Sequence, residues 1–99
     1  MKSIYKYGIG IGETILTMRG RILSAGVQDG SIMIWAVHDD TALARQVRVS
    51  VMGTGWSFVN ASESDFVGTV FLSSPGFPPT GLVFHVFATV GMIGIEELS

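Results

Sequence analysis

The sequence predicts an all-β domain, a compact antiparallel barrel or sandwich of about seven short strands without a sizeable helix. Short alternations of apolar and polar residues recur along the chain, and turn residues separate them about every 8–12 positions. Asp29-Gly30 joins two of these segments and is a preferred type I′ hairpin turn. The connections contain no amphipathic helix of the kind that joins parallel strands, which disfavours a parallel α/β fold.

Strands are predicted over residues 3–7, 14–18, 22–28, 31–37, 46–52, 65–72 and 81–88. The first two rest on the alternation of side chains. Between them, the segment from Gly8 to Gly12 superficially matches a dinucleotide-binding loop. That motif needs a following helix, whereas β-branched and polar strand residues follow here. We therefore interpret the segment as a glycine-softened strand with a bulge.

Placing Asp29 and Gly30 in the turn fixes the register of the third and fourth strands. One face then carries the apolar cross-strand pairs Val27–Ile32, Ala25–Ile34 and Leu23–Ala36. The other face carries the pairs Gln28–Ser31, Gly26–Met33 and Ser24–Trp35, so that Trp35 lies over small residues. The consistent separation of apolar pairs from small or polar pairs supports the hairpin.

The second half of the chain begins with a segment, residues 41–45, that allows one helical turn but is too short for a helix. In residues 46–52 the three valines are expected to face the core, while Arg48 and its polar neighbours face outward. The last strand, residues 81–88, is apolar on both faces except for His85. That pattern predicts a strand that runs through the middle of the domain or lies under an oligomer contact.

The chain length of 99 residues predicts one domain over residues 1–88, followed by a C-terminal extension over residues 89–99. Only 14% of the residues are charged and 47% are hydrophobic, which leaves little polar surface for a small isolated domain. We therefore expect the protein to associate with itself, so that a homo-oligomer buries part of the apolar surface.

Composition also excludes several classes of protein. The chain has no cysteine, which excludes disulfides, thiol catalysis and the common structural zinc sites. A net charge of −2 with six basic residues argues against binding of duplex nucleic acid. No apolar run is long enough for a membrane-spanning helix, and the N-terminal segment has no signal-peptide core. We expect a cytoplasmic protein that binds neither membranes nor duplex nucleic acid and uses no cofactor.

The connection that begins at Gly53 contains the first candidate for ligand contact. Successive backbone N–H groups in Gly53-Thr54-Gly55 can form an anion-binding nest, and Arg48 emerges from the adjoining strand. Trp56 and Phe58 offer flat faces on which a base can stack. The alternative is an ordinary glycine turn whose aromatic side chains complete the core.

His85 is the second candidate for ligand contact, because a polar group on so apolar a strand needs a partner. The alternative is an imidazole that is hydrogen-bonded to a backbone or hydroxyl group. The spacing of His38 and His85 does not pair them into a metal site, and Asp39 and Asp40 are interpreted as turn residues.

Paired carboxylates give no catalytic signature either. Glu63 and Asp65 are expected on one strand face at i, i+2, but they stand at the start of a strand after a loop, where solvated charge is usual. No catalytic residue is assigned, and we expect a protein without enzymatic activity. The enzymatic alternative is a small hydrolase that uses His85 or His38 as a general base.

Several short motifs follow one another in an order and spacing typical of one family. They are Lys6-Tyr7, Arg21-Ile-Leu-Ser24, Gln28-Asp-Gly30, Ile34-Trp-Ala-Val37, Gly53-Thr-Gly55, Val67-Gly-Thr-Val70 and Gly81-Leu-Val-Phe-His-Val-Phe87. Over roughly residues 2–87 the chain resembles a family of short proteins from tailed bacteriophages and prophages, and the closing Leu-Val-Phe-His-Val-Phe strand is its most specific part. The loop at residues 73–80 and the tail after Phe87 extend beyond the family pattern. The resemblance implies a phage context and carries over no catalytic residues.

From these observations we expect a phage-encoded, non-enzymatic binding protein that sequesters a small anionic, nucleotide-type signalling ligand and so counters host defence. The alternative is a protein–protein inhibitor or accessory factor acting on a host or phage protein. In that case exposed apolar residues such as Phe77, Met92 and Ile93 would form the docking surface.

Overall fold

In a computed structural model, which describes residues 1–58, 61–73 and 81–91, the chain forms two antiparallel sheets. The strands of the described residues are β1 (Lys2–Gly8), β2 (Gly12–Met18), β3 (Gly20–Gln28), β4 (Ser31–Asp39), β5 (Arg45–Gly53), β6 (Phe66–Leu72) and β7 (Leu82–Val90). One sheet has the order β1-β4-β3 and the other β2-β5-β7-β6. The predicted all-β class with antiparallel sheets is confirmed.

The hydrophobic core lies between the two sheets, as the alternation of side chains requires. The core cluster consists of Ile9, Met18, Ile32, Ile34, Ala36, Val47, Val49, Val51, Val70, Phe84 and Val86. The three valines of β5 face this core, as predicted, and β7 occupies the predicted central position between β5 and β6. Along one side of the molecule the edge strand β3 of the first sheet packs against the edge strand β6 of the second.

The β3–β4 hairpin has the predicted turn. Asp29 and Gly30 both have positive φ, 53° and 75°, as a type I′ turn demands. The register next to the turn is also as predicted: the structure pairs Val27–Ile32, Ala25–Ile34, Gly26–Met33, Ser24–Trp35 and Gln28–Ser31. The indole of Trp35 lies over Gly26, because a Cβ built there would be 3.0 Å from the ring.

The predicted pairing of Leu23 with Ala36 is wrong. A bulge between Ile22 and Ser24 shifts the register by one residue, so that Ile22 lies opposite Ala36. A bulge adds one residue to its strand, and that extra residue has no partner on the neighbouring strand. Leu23 is therefore 46% exposed instead of buried in the core.

Two connections also differ from the predictions. The segment from Gly8 to Gly12 is no bulged strand; it carries the chain from one sheet to the other and buries Ile9, whose N–H donates to the Ile32 carbonyl oxygen (3.0 Å). Residues 41–45 contain no helical turn. The chain instead turns at residues 39–42, where the Ala42 N–H donates to the Asp39 carbonyl oxygen (3.0 Å).

The start of the sixth strand differs as well. Glu63 and Asp65 lie in a short 3-10 helix (Glu63–Asp65) and not on a strand face. Ser62 begins this helix with a capping box, in which its side chain accepts from a backbone N–H and its own N–H donates to Asp65 Oδ2 (3.2 Å). β6 therefore begins at Phe66. At the other end of the chain, β7 continues two residues past its predicted end, to Val90.

Candidate functional site

The predicted nest at Gly53-Thr54-Gly55 is a tight turn at the end of β5. The Trp56 N–H donates to the Gly53 carbonyl oxygen (3.1 Å), and Gly55 has a φ of 91°, as the third residue of a type II turn requires. The turn itself therefore uses the Trp56 N–H, which is not available to an anion.

The aromatic residues after the turn pack on the end of the four-stranded sheet. A Cβ built on Gly53 would lie 2.8 Å from Trp56 Cε2, so the indole covers this glycine. The ring of Trp56 also meets Phe84 edge-on, with centroids 6.3 Å apart, and Phe58 meets Phe87 in the same manner at 4.9 Å. These contacts match the alternative of a turn whose aromatics complete the core. Trp56 nevertheless keeps 54% of its surface exposed.

His85 links the turn to the sheet. Its Nε2 is 2.9 Å from Thr54 Oγ1 and its Nδ1 is 3.0 Å from Thr69 Oγ1. A neutral imidazole has one donor and one acceptor nitrogen, and a hydroxyl can take either role, so both threonines satisfy the ring. This is the hydroxyl-bonded histidine of the alternative interpretation. It fastens the Gly53–Trp56 turn to β6 and β7.

Arg48 does not join this group. It lies on the outward face of β5, where its Nε is 3.4 Å from Glu13 Oε2 of β2. Five residues separate it from Gly53, which is about 16 Å along an extended strand. The structure thus brings Thr54, Trp56 and His85 together at the turn, whereas Arg48 pairs with Glu13 of β2.

A different cleft, of about 310 Å³, opens at the opposite end of β5. Four polar residues line it, Arg21 of β3, Arg45 of β5, and Ser64 and Asp65 of the 3-10 helix. Its apolar lining includes Met18, Val47, Ala88 and Val90. We call this site the arginine cleft, because Arg21 and Arg45, near the starts of β3 and β5, both line it.

Two of the charged side chains in the arginine cleft form hydrogen bonds within the protein. Arg45 Nη2 donates to the Gly20 carbonyl oxygen (2.5 Å), which uses one of the five guanidinium N–H groups. Asp65 Oδ2 accepts from Thr89 Oγ1 (2.7 Å) and from the Ser62 N–H (3.2 Å). Two cations and one hydrogen-bonded carboxylate leave the cleft with one net positive charge, in a chain whose net charge is −2.

A second groove, of about 410 Å³, adjoins the arginine cleft and shares both arginines. Lys2 and Asp39 contribute further charges to its lining. The Asp39 carboxylate accepts hydrogen bonds from the Thr41 hydroxyl and the Thr41 N–H. Both bonds lower the pKa of Asp39 below its usual value, and the bond from the hydroxyl has the larger effect. The two openings share Gly20, Arg21 and Arg45 and are therefore continuous.

The arginine cleft is a site that sequence reasoning missed. Arg21 and Arg45 are far apart in sequence and lie on strands of different sheets. A local signal existed, since each arginine stands at the start of a strand, but nothing in the alternation of residues shows that these two strand ends meet.

The fold and these sites define a small two-sheet β domain with a polar cleft at one end and an aromatic turn at the other. Among residues 1–58, 61–73 and 81–91, no group of three or more potential metal ligands comes together, and no helix has the length and hydropathy of a membrane crossing. The chain belongs to the family described as Domain of unknown function (DUF7352), whose model matches residues 1–92. No curated protein and no solved structure matches it.

Proposed function

We propose that the protein is a non-enzymatic binding module that holds a small anionic, nucleotide-type ligand in the arginine cleft. The observation that carries this proposal is the presence of Arg21 and Arg45 in the lining of one cleft. Guanidinium groups pair with phosphate and carboxylate oxygens through two parallel hydrogen bonds, which gives both strength and orientation.

The surroundings of the two arginines support a small ligand. The cleft volume of about 310 Å³ is at the lower end of the range of roughly 300–1,000 Å³ for small-molecule sites. Val47, Ala88 and Val90 supply apolar surface for the uncharged part of the ligand. The low-dielectric walls of a cleft also strengthen the attraction of its cations for an anion.

The positions of the histidines support binding without catalysis. His85 bonds to two threonine hydroxyls at the opposite end of the molecule. His38 stacks on Tyr5, with ring centroids 4.1 Å apart and planes inclined by 4°. Neither histidine lines the arginine cleft, so neither is placed to act as a general base on a ligand bound there.

The biological part of the proposal rests on the resemblance to phage and prophage proteins. We propose that the protein acts in the cytoplasm of an infected host and sequesters a nucleotide signal of host defence. Membership of DUF7352 is consistent with this role but assigns no activity.

The test is a set of calorimetric titrations of the purified protein at low salt, one each with ATP, a cyclic dinucleotide and pyrophosphate. Arg21→Gln and Arg45→Gln should each weaken binding of the responsive anion by tenfold or more. Arg48→Gln is the matched control, since it removes the same charge from an arginine that is paired with Glu13.

Intact ligand recovered after heat denaturation supports sequestration, and a chemically altered ligand contradicts it. Equal weakening by Arg48→Gln and Arg21→Gln contradicts the assignment to the arginine cleft. Absence of binding by all three anions contradicts the proposed function.

A second candidate function is association with another copy of this chain through β6. This strand is an edge of its sheet, and Phe71 and Phe66 on it are 69% and 52% exposed. Because β3 packs along the edge of β6, the association would use these exposed aromatic side chains and not strand pairing. Phe77, Met92 and Ile93, predicted to form a docking surface, lie outside the described residues.

Light scattering after size-exclusion chromatography tests this association. Phe71→Ser should convert an oligomer into monomers, whereas Leu43→Ser, which changes a 77% exposed side chain in a loop, should not. A monomeric wild-type protein would contradict it and would favour a different partner protein.

A further inference from the structure

A small groove of about 240 Å³ lies beside the aromatic turn, at the end of the molecule away from the arginine cleft. Its lining includes Glu13 of β2, Ser50 and Met52 of β5, and Trp56. We call it the Trp56 groove. It is smaller than the roughly 300–1,000 Å³ of sites for drug-sized ligands, so it fits a group of one small ring system.

The Ser50 hydroxyl is the first observation that indicates a ligand. Ser50 is only 4% exposed, and its Oγ has no hydrogen-bond partner among the described residues. Buried hydroxyl groups in proteins nearly always have a partner, because an unpaired one loses its bonds to water without replacement. Ser50 also belongs to the lining of the groove, so a polar atom of a bound molecule can supply the missing partner after a small movement of the side chain.

The indole of Trp56 is the second observation. It is 54% exposed although the turn that carries it is held at several points. The Trp56 N–H bonds to the Gly53 carbonyl oxygen, and Thr54 bonds to His85. A half-exposed aromatic ring on a fixed backbone is a pre-organised stacking surface.

The charges of the groove favour an uncharged ligand. The Glu13 carboxylate lies 3.4 Å from the Arg48 Nε, so the two opposite charges balance. Met52 and Val51 add apolar surface to the lining. A net ionic ligand would lose its hydration here without gaining an opposite charge.

We propose that the Trp56 groove binds an uncharged planar heteroaromatic group, which stacks on Trp56 and forms a hydrogen bond with the Ser50 hydroxyl. This site is distinct from the arginine cleft: the two share no lining residue, and Ser50 of the groove lies five positions after Arg45 of the cleft on β5, about 16 Å at 3.3 Å per residue.

Adenine and cyclohexanol are suitable probes, the first planar and heteroaromatic, the second non-planar with one hydroxyl. The readout is the NMR signal of the Trp56 indole N–H, assigned by its loss in Trp56→Phe. Adenine should shift this signal saturably, and Ser50→Ala should raise the apparent Kd at least tenfold. Trp35→Phe and Arg21→Gln should leave the Kd unchanged.

Three outcomes would overturn the proposal. They are no saturable shift with adenine, an equal response to cyclohexanol, and an unchanged Kd in Ser50→Ala. Because Ser50→Ala removes a single oxygen atom, its Tm should not fall below that of the wild-type protein, which would show that the loss of binding is local. Arg21→Gln separates this test from that of the arginine cleft.

Discussion

Gly20 is a position where the addition of one methyl group should strongly lower the stability of the fold. It has a φ of 140°, a conformation that other residues rarely adopt, and it starts β3 opposite His38 of β4. A Cβ there would overlap the Val37 carbonyl oxygen and lie 2.9 Å from the Val37 carbonyl carbon. These are backbone atoms of the paired strand, so no side-chain movement relieves the overlap.

The magnitude for Gly20→Ala comes from two costs. Backbone strain of this kind costs about 1–3 kcal/mol, and overpacking costs about 1–3 kcal/mol more. We expect the free energy of unfolding to fall by about 4 kcal/mol, a large part of the roughly 5–15 kcal/mol of a typical domain. At about 4–8 °C per kcal/mol, Tm should fall by at least about 16 °C.

Urea denaturation followed by tryptophan fluorescence measures this loss. Gly10→Ala is the matched control, because a Cβ at Gly10 meets no atom within 4 Å, and its stability should stay within about 1 kcal/mol of wild type. If Gly20→Ala is as stable as Gly10→Ala, the start of β3 does not have the close backbone approach that Gly20 permits. Gly20→Ala should also weaken anion binding, because the Gly20 carbonyl oxygen accepts a hydrogen bond from Arg45.

Three further predictions concern the core, a buried hydroxyl and a titrating carboxylate. Ile34→Ala, at a fully buried core position, should lower the free energy of unfolding by about 4 kcal/mol, while Ile4→Ala, 61% exposed, should change it by less than about 0.5 kcal/mol in the same urea titration. Ser50→Ala removes an unpartnered hydroxyl and should leave the protein equally stable or about 1 kcal/mol more stable, whereas Thr89→Val breaks a bond to Asp65 and should cost about 1.5 kcal/mol; equal losses would contradict the hydrogen bonding assigned to both. Thr41→Val removes the main cause of the lowered Asp39 pKa, so that pKa should rise in a carboxyl NMR titration. In the wild type this carboxylate stabilises the fold above its unfolded-state pKa and loses that effect as the pH falls through its folded-state pKa; an unchanged pKa in Thr41→Val would refute the cause given.

The strands and the hairpin were predictable because their signals are local. Alternation of side chains defines each strand, and Asp29-Gly30 defines both the turn and the register next to it. The register fails at Leu23, since a bulge inserts one residue without any glycine or proline to mark it. The Gly8–Gly12 segment was misread for a related reason: its apolar isoleucines resemble a strand, but here Ile9 fills the core between the sheets.

In the candidate sites, too, local contacts were predictable from the sequence and contacts between distant strands were not. Thr54, Trp56 and His85 come together through one turn and one strand, and the need of His85 for a polar partner was visible in its apolar strand. Arg48 lies outside this cluster, and the sequence shows that it faces outward but not that Glu13 of β2 lies beside it. Arg21 and Arg45 meet only through the packing of two sheets, which no local pattern reports.

The central claim is that Arg21 and Arg45 bind an anion, and side-chain NMR of the arginines tests it most directly. In protein labelled with ¹⁵N-arginine, the Nε–H signals of each arginine can be assigned by single Arg→Gln variants and followed during a titration with the anion that binds most tightly. We expect saturable shifts of the Arg21 and Arg45 signals with one common Kd and no shift of the Arg48 signal, because Arg48 stays paired with Glu13. Shifts confined to Arg48, or uniform weak shifts of all arginines without saturation, would contradict it.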